Sequence, residues 1–163
     1  MSNKLIKQYK ALTTKISFMK KMIMTLAIAI STLTAFAGEE NVSPKVLDAF
    51  KNQFKTAQQV EWTTGVDFYQ ATFVYNDKHV YAYYSTDGEL LGLTRYVSPL
   101  DLSLNLQIGL KNNYSNYWIS DLFEVAKTDG TTYYITLENA DTKIVLKSSD
   151  SNTWNFHKKV KKV

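Results

Sequence analysis

The chain has 163 residues, with 19 Lys and Arg against 15 Asp and Glu, a formal net charge of +4 and no cysteine. Six lysines (Lys4, Lys7, Lys10, Lys15, Lys20, Lys21) and no acidic residue fall in the first 37 positions, so from Gly38 onward 13 basic side chains stand against 15 acidic ones. A domain of that balance lacks the cationic surface that phosphate binding needs, which argues against a nucleic-acid partner; without cysteine there is no disulfide, thiolate zinc site, cysteine nucleophile or lipidated cysteine.

The leader comes first. Lys20-Lys21 precede the apolar run Met22 to Ile30, which ends at Ala35-Phe36-Ala37 before Gly38. A positive segment, an apolar segment and an A-x-A site in that order predict a signal peptide over 1–37, cleaved between Ala37 and Gly38, with Met19 as an alternative start. The run is shorter than the roughly 20 apolar residues a spanning helix requires, so no stable membrane span is expected after cleavage. The expected location is periplasmic or secreted. Residues 38–163 are long enough to bury a core of their own.

Ser43-Pro44 is a helix start, with a capping hydroxyl followed by a residue that loses nothing by lacking an N–H. Val46, Phe50 and Phe54 recur every four residues and place one apolar face on a helix ending near Thr56. Val60 and Trp62 alternate with polar residues as a short strand, and Gly65 separates it from a longer one over Phe68 to Tyr75. Asn76-Asp77 turns the chain into Lys78 to Tyr84, and Thr86-Asp87-Gly88 turns it into Glu89 to Tyr96. Leu100 to Leu110 alternates like a strand, yet Leu102, Leu106, Leu110 and Tyr114 also keep helical spacing, and leucine favours helix.

The second half then matches the first. Phe50-Lys51-Asn52-Gln53-Phe54 aligns with Leu110-Lys111-Asn112-Asn113-Tyr114, and Tyr69-Gln70-Ala71-Thr72-Phe73 with Tyr133-Tyr134-Ile135-Thr136-Leu137. These matches predict an α+β fold of tandem helix-plus-antiparallel-meander repeats, about 43–97 and 98–159, forming one curved sheet with helices on one face and a short basic tail over 158–163. Together with Val60-Glu61-Trp62 and Asp87-Gly88-Glu89, the same segments make the exported chain resemble the secreted bacterial PepSY-like family, also called β-lactamase-inhibitor-like. The resemblance spans roughly Ser43 to Lys159. It implies a curved antiparallel sheet with one open face; it does not carry inhibition with it, because a shared fold is not a shared function.

The residues offer little chemistry. His79 and His157 are the only histidines, and neither has a second ligand at metal spacing. No G-x-S-x-G, S-x-x-K, phosphate loop or calcium loop is present, and most acidic residues sit in turns. The expectation is a non-enzymatic protein without a cofactor or metal. What exceeds ordinary composition is 11 Tyr, 8 Phe and 3 Trp. Alternation along strands places Thr72, His79, Tyr81, Tyr83, Tyr134 and Lys147 on the open face, where tyrosine offers a large contact area with a polar tip. Strand propensity alone would also favour tyrosine and threonine there. The expected function is an exported binding module docking a protein through that face, in an inhibitory or sensing role; the alternative is an envelope protein that binds a peptide or small ligand, or is purely structural.

Overall fold

The computed structural model describes residues 36–161; the expected leader therefore lies outside the described residues, apart from its last two positions. Half of the described residues are strand and about a fifth helical. The strands are β1 (Phe36–Ala37), β2 (Gln58–Thr64), β3 (Phe68–Tyr75), β4 (Lys78–Ser85), β5 (Leu90–Tyr96), β6 (Trp118–Lys127), β7 (Gly130–Glu138), β8 (Lys143–Ser148) and β9 (Asn155–Val160). The helices are α1 (Pro44–Gln53) and α2 (Leu104–Asn113), with 3-10 turns at Glu39–Asn41 and Pro99–Asp101. All nine strands belong to one sheet, in chain order from β1 to β9.

This corrects the expected fold class of tandem helix-plus-meander repeats. The protein is mostly one antiparallel sheet with two short helices. The supposed boundary near Val97 falls between β5 and β6, which pair directly, with Leu93 opposite Ala126 and Tyr96 opposite Phe123. With strand covering half of the described residues and helix about a fifth, the short sequence matches are recurrences of strand and turn chemistry within the sheet, not a repeated helix-plus-meander arrangement. The contacts instead divide the described residues into two compact units: those up to Gln53 with Glu61–Ala71 and Tyr83–Leu91, and Phe54–Val60 with Thr72–Ala82 and the described residues from Gly92 onward.

In the first unit, the Ser43 carbonyl and hydroxyl accept from the Val46 amide at 3.0 and 3.4 Å, starting α1 as its sequence requires. Val46 and Phe50, one turn apart, are the buried residues of α1. Phe50 meets the Trp62 ring edge-on at 5.3 Å and the Tyr84 ring at 6.5 Å. The Tyr84 hydroxyl donates to Gln53 Oε1 at 2.8 Å, and burial pushes its pKa far above the ordinary phenol value. Gly88 turns the chain at φ +86°, where a side chain would also stand 3.0 Å from the Lys45 carbonyl oxygen.

In the second unit, the run beginning at Leu100 is helical from Leu104 onward. Ser103 caps α2 by accepting from the Leu106 amide, and its hydroxyl donates to the Ser151 carbonyl. Leu102 and Leu106 join Leu122, Ile135, Leu137 and Leu146 in a buried cluster, leaving Leu104 and Ile108 exposed. The Trp154 indole N–H donates to the Leu106 carbonyl at 3.0 Å, pinning the β8–β9 loop to α2. Asp150 shapes that loop by accepting from the Asn152 and Thr153 amides and both the Ser148 and Thr153 hydroxyls; these bonds hold its carboxyl well below the usual range.

Candidate functional site

The residues of β6 to β8 that pack under α2 are Leu122, Ile135, Leu137 and Leu146, so their neighbours in sequence leave the sheet on the other side. Register assembles that other face row by row. Tyr96 stands opposite Phe123, Phe123 opposite Tyr134, Tyr134 opposite Lys147, and Lys147 opposite Asn155. A second row runs through Asp121, Thr136, Val145 and Lys158.

Rings gather along the first row in two groups, Tyr81 with Tyr96 and Phe123 with Tyr134 and His157, which the register pairing of Tyr96 with Phe123 brings together into a band. Tyr81 meets Tyr96 edge-on at 6.2 Å, Phe123 stacks on Tyr134 at 5.3 Å with 16° between planes, and His157 meets Tyr134 edge-on at 5.5 Å. Lys147 Nζ lies 6.0 Å from the centre of the Tyr134 ring, at the limit of a cation–π contact. Burial differs along the band. Tyr96 is 51% exposed and Tyr81 partly buried, whereas Tyr134 is 3% exposed and Phe123 is buried beside it. Thr94, two residues before Tyr96 on the same face, is buried with its hydroxyl unpartnered.

The ionisable groups follow from this packing. Desolvation raises the Tyr134 phenol; desolvation first, then the Asp121 and Tyr81 charges, raises the Tyr96 phenol. Desolvation lifts the Asp121 carboxyl against the lowering effects of the Leu122 amide and Lys143. Desolvation, with Lys158 and Lys147 nearby, depresses His157 and so favours its neutral form. No group of three or more His, Asp or Glu residues that could hold a metal occurs among the described residues. The arrangement offers aromatic area and polar tips.

Of the residues expected on the open face, the structure brings Tyr134 and Lys147 together as register partners and places Tyr81 at the other end of the band against Tyr96. Thr72 on β3 is partly buried and His79 on β4 is exposed; both stand apart from those contacts. Tyr83 is 1% exposed: its hydroxyl accepts from Gln70 Nε2 at 3.2 Å and its ring packs against Phe68 at 6.2 Å. Tyr83 and Tyr134 thus present almost no free surface, because neighbouring side chains cover the side on which they leave the sheet. Ala37 ends β1 opposite Trp62, and Gly38 leads into the first 3-10 turn. Tyr96, Phe123 and His157 also belong to the band, beyond the residues that strand alternation places there; the sequence signal for Tyr96 is its place one alternation beyond Thr94, and for Phe123 its alternation with Leu122.

No protein-family model matches the chain, and no curated protein matches it. Solved structures do. A BLIP-like protein of Bacteroides fragilis superposes with a TM-score of 0.66 at 18% identity, over 73% of this chain and 86% of that one. A DUF2874 family protein of Bacteroides uniformis superposes with a TM-score of 0.64 at 14% identity, over 69% and 86%. A Bacteroides eggerthii protein whose name assigns it provisionally to the periplasm gives 0.65 at 15% identity, over 72% and 88%. The likeness supports the β-lactamase-inhibitor-like side of the expected resemblance as a matter of fold; none of it bears on a PepSY relation. No helix among the described residues is long and apolar enough to cross a membrane. The chain has a BLIP-like fold.

Proposed function

We propose that this protein is a non-enzymatic binding module, exported to the periplasm or beyond, which docks a protein partner on the face of its sheet turned away from α2. The observation that carries the reading is the aromatic band, in which Tyr81 and half-exposed Tyr96 form the accessible end and Phe123 and Tyr134 the rigid floor. Rings already fixed by their neighbours lose little conformational freedom on binding, and tyrosine supplies both apolar area and a hydrogen-bonding tip. The BLIP-like fold is consistent with a binding role, and the periplasmic naming of one structural neighbour supports the location. The test is affinity capture from envelope and secreted extract by the full chain and by a folded Tyr81→Ala, Tyr96→Ala double variant. The proposal expects one discrete protein retained by the wild type and lost from the variant. Equal retention by both baits, or none by either, would overturn it.

A further inference from the structure

The last strand of the sheet carries a second surface along its outer edge. β9 is terminal in the strand order, so beyond its pairing with β8 one edge has no strand partner among the described residues. Its sequence Asn-Phe-His-Lys-Lys-Val is followed by Lys161. Lys158 stands opposite Val145 and Lys159 opposite Ile144, which places one ammonium on each side of the sheet. Neither they, nor Lys161, nor Lys147 has an ion pair among the described residues. Acidic groups at the two ends of β8 are already engaged: Glu138 with Lys143 at 2.6 Å, Asp150 by the amides of its own loop. Phe156, opposite Leu146, is 66% exposed.

We infer that the free edge of β9 receives an extended acidic segment of a partner protein by strand addition, its carboxylates facing Lys158 and Lys159 and an apolar residue facing Phe156. Charge selects the occupant. Lysines on an edge strand repel a second copy of the same strand, the usual guard against edge-to-edge aggregation, yet complement an acidic one. An unpaired main-chain edge favours a peptide over a phosphate or lipid headgroup, since only a peptide uses the N–H and C=O groups together with the ammonium groups. Burial chiefly depresses His157, and Lys158 and Lys147 add to the effect. The inference does not depend on the aromatic band, since it involves neither Tyr81 nor Tyr96.

The probe is a fluorescein-labelled threonine-rich peptide carrying one phenylalanine and two adjacent glutamates, which fall on opposite faces of an extended strand as Lys158 and Lys159 do, with its glutamine counterpart as control, titrated into the full chain and into a Lys158→Gln, Lys159→Gln variant. The glutamate peptide should bind more tightly than the glutamine peptide by about tenfold, as two ion pairs each contribute a factor of a few. The double variant should remove most of that difference, and amide exchange across β9 should slow in the complex. Equal binding of the two peptides, absence of binding, or binding unchanged in the variant would overturn the inference. So would displacement of the peptide by vesicles of anionic phospholipid without protection of the β9 amides, which would assign the lysines to a membrane surface.

Discussion

Replacing Tyr134 by alanine separates the floor of the band from its accessible end. The side chain is 3% exposed, stacks on Phe123 and meets His157 edge-on. Removing a ring so enclosed forfeits its burial and leaves a cavity, a loss of about 3–5 kcal/mol, of which the stacked pair accounts for about 1 kcal/mol. Tyr96→Ala removes a ring that is 51% exposed, and about 1–2 kcal/mol is expected, from partial burial and the edge contact with Tyr81. Tyr134→Phe keeps the packing and removes a hydroxyl whose raised pKa reflects desolvation, so it should be close to neutral. Urea denaturation of the full chain, followed by far-ultraviolet circular dichroism, gives all three values. A Tyr134→Ala loss no larger than that of Tyr96→Ala would refute the division into floor and accessible end.

Three further outcomes follow from the same packing. Asp121→Asn should stabilise the protein at neutral pH: burial raises the folded carboxyl, so the native state loses stability as pH rises through the carboxylate range, and an amide escapes this; denaturation midpoints at pH 7 and pH 4 should show the gain shrinking as pH falls. His157 has the opposite sign, since a depressed folded pKa costs stability as pH drops below about 6.5, and His157→Gln should flatten the midpoint against pH between 7 and 5. Gly88→Ala should cost about 1–2 kcal/mol in the same denaturation assay, from the left-handed backbone and the crowded Lys45 carbonyl.

Much of the local structure was legible because local rules decide it. Ser43-Pro44 and the Val46–Phe50 spacing place α1; Leu102 and Leu106 place α2 despite the strand-like alternation around them. Asn76-Asp77 forms its turn with both residues at positive φ, as asparagine and aspartate tolerate. The architecture was not legible, because short matches between two halves of a chain do not reveal how far the sheet outweighs two short helices. Nor does alternation say what covers a face. It gives the side on which Tyr83 leaves β4 but not that Phe68 packs on it and Gln70 bonds to it. Bulges add a further gap: register shifts between Ile119 and Asp121 and between Val145 and Leu146, and the second leaves His157 free to reach Tyr134. A period-two reading cannot anticipate such an extra residue.

The central claim is that a partner sits on the band and not on the α2 side, and photo-crosslinking tests it most directly. A photoreactive phenylalanine analogue is placed at Tyr81 or Tyr96 and, for contrast, at exposed Ile108 of α2. Irradiation in the presence of envelope extract should give one discrete adduct from either tyrosine position and none from Ile108. An adduct from Ile108 with none from Tyr81 and Tyr96 would contradict the account.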